Sequence, residues 1–187
     1  DDAGDPSLRT TAMLAEAMER HGLVGRGVAC HARALATYPE PSLLRLIGLA
    51  RRAGLGFVSD PHTGPLALPV RRFIEAGLPV ALGQDDIEDA YYPFGRHNML
   101  EVAFLAAHLL GFLGADDQRR LVELVTDRAA LVLGMANHDV AEGNTANLCV
   151  QGSERVVDLL REHAAPRWVI RDGVVVAESE IRSMIHR

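Results

Sequence analysis

The stretch Leu78-Pro-Val-Ala-Leu-Gly-Gln-Asp-Asp-Ile-Glu-Asp-Ala-Tyr-Tyr-Pro-Phe-Gly-Arg-His-Asn-Met-Leu-Glu101 decides how the chain is read. It opens with an apolar run, 78–82, of the length and composition of a buried strand. Gly83 breaks the run, and the carboxylates Asp85 and Asp86 follow at once. A loop punctuated by Pro93 and Gly95 then leads into a helical pattern near Asn98. Carboxylates at the carboxyl end of a buried strand suit metal binding and proton transfer, because the strand holds them still while the loop admits substrate. A lone Asp there more often caps a helix or faces solvent; the doublet and the aromatic loop favour chemistry.

Upstream, helix and strand signals alternate. Asp5-Pro6 starts a helix over 6–20, with Asp5 as cap and Pro6 in the first turn, stopped by His21-Gly22. Residues 26–31 read as a short buried strand, and a helix follows Pro41 and ends at Gly54. Residues 56–60 form the next strand, Pro61-His62-Thr63-Gly64-Pro65 an irregular loop, and 70–76 a short helix ending at Gly77. Such alternation argues for a parallel sheet in an α/β protein. Downstream, 98–112 is a strongly apolar helix expected to be buried on most faces, and two more helices follow, from Asp116 or Asp117 and over 125–134. After a turn-rich segment, 138–147, come a strand (148–151), a helix (153–163) and a hairpin (168–177) turning at Asp172-Gly173.

The bulk composition narrows the function. Net charge is −6, and all 19 basic residues are Arg. A phosphate backbone needs a basic face, so nucleic-acid binding is not expected. No apolar run reaches about 18 residues, so no membrane partner is expected either. Cys30 and Cys149 sit in apolar runs and read as reduced core residues of a cytoplasmic protein. A complete eight-stranded β/α barrel takes about 250 residues; 187 residues without an initiator Met read as the C-terminal portion of a larger enzyme.

Three successive strands end in ionisable groups: His31, Asp60 (with His62 two residues on) and Asp85. If the strands are parallel, their carboxyl ends share one face, and these side chains converge although they are distant in sequence.

Gly83-Gln84-Asp85-Asp86, followed by Asp89, Tyr92-Pro93, Gly95 and Asn98-Met99-Leu100, resembles the last barrel strand and loop of cytosine deaminases. These belong to the cytosine deaminase and N-isopropylammelide isopropylaminohydrolase branch of the metal-dependent amidohydrolase superfamily. The resemblance extends more weakly from about Asp2 to Ala177. It implies the last three strand–helix units of a TIM-like β/α barrel over 1–134 and a return to a small β-sandwich over 135–187. It further implies one divalent metal ion, zinc or iron, with Asp85 as ligand and proton acceptor and His31 polarising the attacking water or the ring carbonyl. Asp86 would accept from the substrate's amino group, with Asp60 and His62 also lining the substrate. Asp2 falls where a proton-shuttling Glu is expected and is one methylene shorter. The implied reaction removes ammonia or a small amine from a nitrogen heterocycle, the small-molecule partner; a homo-oligomer is also expected. Two alternatives stay open: an amine hydrolase for triazines or pterins, and a catalytically incomplete remnant or interaction subunit. The resembled family's other ligands, a His-x-His pair and a further His, lie outside this chain.

Overall fold

The structure, a computed structural model, describes residues 5–85, 87, 88, 92–180 and 184. Three parallel strands, β1 (Val28–Cys30), β2 (Gly56–Ser59) and β3 (Val80–Leu82), form one sheet in the order β1-β2-β3. The intervening chain crosses back through α2 (Glu40–Ala53) and α3 (Val70–Glu75), after α1 (Thr10–Arg20). The expected alternation is thus present, with a short 3₁₀ helix, Arg33–Thr37, inserted after β1.

Burial explains the strands. All three residues of β3 are buried, and Phe57 of β2 packs edge-on to Phe73 of α3, ring centres 4.8 Å apart. Around this pair the core gathers Ala15 and Met18 from α1 with Leu46, Ile47 and Ala50 from α2. The α2 helix ends as anticipated, with Gly54 in the left-handed region (φ 62°) and its amide donating back to the carbonyls of Ala50 and Arg51.

Three sequence expectations need correction. The first helix begins at Thr10, not Pro6: Asp5 accepts from the Ser7 amide at 2.8 Å, and Arg9 at φ 51° separates that turn from the helix. The helix α4 (Met99–Leu109) buries one face, through Val102, Ala103, Ala106 and Ala107, and leaves Leu109 exposed. Cys30 and Cys149 are free but exposed, because the outward positions of β1 and of β4 (Leu148–Val150) fall on them. Among the described residues, no helix is long and apolar enough to cross a membrane.

Two helices, α5 (Ala115–Val125) and α6 (Asp127–Val132), pack on the sheet; a Cβ at Gly56 would meet Val132 at 3.2 Å, so Gly56 lets α6 approach β2 closely. A second, antiparallel sheet comprises β4, β5 (Trp168–Arg171) and β6 (Val174–Glu178). Asp172 (φ 50°) and Gly173 (φ 79°) form the tight turn between its last strands, the positive-φ pair that a two-residue hairpin favours. All of β6 is exposed. The intervening α7 (Val156–Glu162) packs against α4 and α5 and seats Leu160 in the main core. Asn98 joins the two regions: its Oδ1 caps α4 through the Leu100 amide (3.0 Å), and its Nδ2 donates to the His163 carbonyl (2.7 Å).

Candidate active site

Register builds the site. Cys30 pairs with Val58, and Ser59 with Leu82, so the residues that follow leave the sheet at one edge. The ladder continues one step further: the His31 amide donates to Val58 (2.9 Å) and the Gly83 amide to Ser59 (2.8 Å). Gly83 is required at that step, since a Cβ would come within 2.6 Å of Val58 Cγ1. His31, Asp60 and Asp85 are thereby brought together: each offers one ligand atom, all within 4.8 Å of one another.

The backbone at His31 is unusual. His31 and Ala32 are both left-handed, at φ 62° and 47°, and the Ala32 amide donates to the Cys30 carbonyl (2.8 Å) across the turn. Such conformations cost about 1–3 kcal/mol for each residue bearing a Cβ and persist only where other contacts fix them. The fixing contact here is Asp60, whose Oδ1 lies 2.7 Å from His31 Nδ1. A carboxylate only accepts, so the imidazole donates.

Asp60 itself is 5% exposed, and its Oδ2 accepts from Arg33 Nη2 at 2.6 Å and from the Thr63 hydroxyl. Arg33, 7% exposed, donates to Thr63 as well. Asp60, expected to face substrate, thus has both oxygens engaged inside the protein. Removing one partner of a buried pair of this kind costs about 3–5 kcal/mol, because the other is left charged and uncompensated. Arg33 and Thr63 were not foreseen: an Arg two residues past a strand and a Thr in a Pro/Gly loop carry no signal of burial in sequence.

On the open side, His31 Nε2 and Asp85 Oδ1 are 3.9 Å apart, and the Asp85 side chain is 35% exposed. One cation with bonds of about 2.0–2.2 Å to nitrogen and oxygen can span that separation. The imidazole and carboxylate donors fit a divalent ion such as zinc or iron, and the carboxylate behind His31 is the partner that metal-binding imidazoles usually have.

His62 lies in the loop after β2, its ring against the Tyr92 ring at 4.9 Å. Both its ring nitrogens are buried and without a hydrogen-bond partner among the described residues. Burial holds its pKa below the usual imidazole value, although Asp60, Asp85 and Glu101 pull the other way. Asp2 and Asp86, also expected at the site, lie outside the described residues.

A profile described as "Amidohydrolase family" matches residues 1–177. N-isopropylammelide isopropyl amidohydrolase from Pseudomonas sp. (strain ADP) is 27% identical over 181 residues, 96% of this chain and 45% of that protein. Pterin deaminase from Rhizobium rhizogenes is also 27% identical, over 96% of this chain and 44% of its own length. The crystal structure of 5-methylcytosine deaminase from Klebsiella pneumoniae, liganded with 5-fluorocytosine, superposes with a TM-score of 0.89 at 28% identity. That match covers 100% of this chain and 48% of the deaminase. The chain therefore spans about half the length of these relatives. With a family match across nearly its whole length and a parallel α/β sheet carrying His31, Asp60 and Asp85 at one edge, the chain belongs to the amidohydrolase family.

Proposed function

We propose that the full-length protein hydrolyses the bond between a nitrogen-heterocycle carbon and its exocyclic amine, adding water and releasing ammonia or a small amine. The observation that carries this reading is the placement of His31 and Asp85 3.9 Å apart at the carboxyl edge of one parallel sheet. The names of the relatives support the substrate class: an ammelide, a pterin and a methylated cytosine. In this reading β1 to β3 are the last three strands of a β/α barrel. The strands β4 to β6 complete a small β-sandwich, with the boundary after residue 134.

Asp85 and His31 are the residues of this chain that would hold a divalent ion, zinc or iron, which when bound activates water as a Lewis acid. Asp85, the more exposed of the two, accepts a proton from the attacking water and returns it to the departing nitrogen. His31 has one lone pair to offer, at Nε2, and it serves the ion or the attacking water, not both at once. His62 and Asp86 contact the ring. Asp2 serves as the acid that protonates a ring nitrogen, and its shorter reach favours rings other than cytosine, since misplacement by about 1 Å can cost on the order of 100-fold in rate.

The test is a panel of cytosine, 5-methylcytosine, N-isopropylammelide and pterin offered to metal-loaded full-length protein, with released ammonia or amine measured. Asp85→Ala should lose bound metal and turnover while its circular dichroism is unchanged. Full metal occupancy with near-normal turnover in that variant, or no turnover of any panel member by the parent, overturns the reading.

A further inference from the structure

We infer that Arg33, acting through Asp60, fixes the tautomer of His31, so that Nδ1 carries the proton and the Nε2 lone pair faces Asp85. This rests on the reading above only in taking His31 as a site residue. The order of donors is set by geometry. Arg33 and Thr63 both approach Asp60 Oδ2, and His31 Nδ1 approaches Oδ1 at 2.7 Å. The carboxylate accepts on both sides, and the imidazole is left one arrangement at Nδ1: it donates. Arg33 and Asp60 are then positioning residues, remote from substrate but deciding which way His31 presents its lone pair. An imidazole that binds a metal or polarises water needs that lone pair.

The arrangement makes an asymmetric prediction for Asp60→Asn. An amide in that place is acceptor at one end and donor at the other. A guanidinium can only donate, so Arg33 holds the amide oxygen on its own side and turns the amide nitrogen toward His31. The amide nitrogen then donates to Nδ1, and the proton moves to Nε2, the wrong face. A similar inversion in the Ser-His-Asp template lowers kcat about 10⁴-fold while geometry is kept. Replacing Arg33 by Met in the same variant releases the amide to flip, offer its oxygen to Nδ1, and restore the original tautomer. A second lesion at a buried pair ordinarily adds damage; here it reverses the first.

The experiment is long-range ¹H–¹⁵N correlation of the imidazoles in metal-free, ¹⁵N-labelled full-length protein at about pH 8.5, well above an ordinary imidazole pKa near 6.5. His31 is assigned by its loss in His31→Gln. The parent should show His31 with Nδ1 protonated and Nε2 bare, Asp60→Asn the reverse, and Asp60→Asn/Arg33→Met the parental pattern. Zinc affinity, read by competition with a chromophoric chelator, should fall about 10–100-fold in Asp60→Asn and recover in the double variant. A parent spectrum with Nε2 protonated overturns the assignment whether or not the Asp60 variants fold. Parental tautomer in Asp60→Asn, or no recovery in the double variant, overturns the role of Arg33. The tautomer is read without substrate or metal, so a failure of the proposed hydrolysis in the substrate panel leaves this result intact, and the converse holds.

Discussion

At the scale of single residues, the site spends stability in two places. His31 and Ala32 hold left-handed backbone, and His62 keeps two buried ring nitrogens without partners among the described residues. Leaving a buried polar atom unmade costs about 1–3 kcal/mol, whereas an apolar group of similar shape avoids the penalty. His62→Leu should therefore have an equal or higher Tm while raising KM for the ring substrate; a lower Tm with unchanged KM would count against the role given to His62. Its pKa is depressed in the fold, so the unfolded chain binds the proton more readily. Stability is fully present above the unfolded value near 6.5 and is lost as pH falls from there through the depressed folded value. His62→Leu should flatten that acid limb in thermal melts. The sequence made His31, Asp60 and Asp85 visible because each follows an apolar run. It did not make Arg33 visible, because what buries an arginine is a carboxylate just past the end of the next strand, and only the register of β1 against β2 brings the two together.

At the scale of elements, turn chemistry and apolar runs made the strands and most helices legible. Gly54, Asn98 and Asp172-Gly173 each end or begin an element where expected. Helix starts were less legible: Asp5-Pro6 carries a capping signal, but Asp5 uses its carboxylate on a local turn and α1 waits for Arg9. Two junctions support predictions. Gly83→Ala drives a methyl into Val58, at an overpacking cost of about 1–3 kcal/mol. It also moves the segment that carries Asp85. Metal affinity should drop together with stability, and adding Val58→Ala should recover both; recovery of stability alone would separate Asp85 from the ion. Farther away, Arg71 of α3 grips Asp117 of α5 through two bonds, 3.0 and 3.1 Å, while its guanidinium lies 4.3 Å above the Phe112 ring. The Arg71 contact holds the Asp117 carboxyl below its usual range. That stability is present above the unfolded value of about 3.9 and disappears as pH falls through the lowered folded value. Asp117→Asn should accordingly melt below the parent at pH 7 and converge with it under acid; a gap that persists at low pH would assign the loss to packing.

At the scale of the whole molecule, the two sheets are handled differently. The parallel sheet is covered by helices, and its chemistry gathers at one edge where three chain segments leave together. The sequence carried this arrangement because β2 and β3, almost wholly buried, read as unbroken apolar runs. The antiparallel sheet ends in β6, where Val174, Val175 and Val176 are 62%, 55% and 57% exposed. Nothing in its composition distinguishes it from a buried strand, so exposure there was not legible. An outer strand rich in valine, with an open row of backbone donors and acceptors, is a template onto which another strand can add. Concentrated samples of this chain should therefore scatter light more steeply than in proportion to concentration, and Val176→Lys, placing a charge on that border, should return the dependence to linear without changing metal affinity. The border expected to govern self-association thus lies on a different sheet from the strands that carry the site, and a single charge should blunt it.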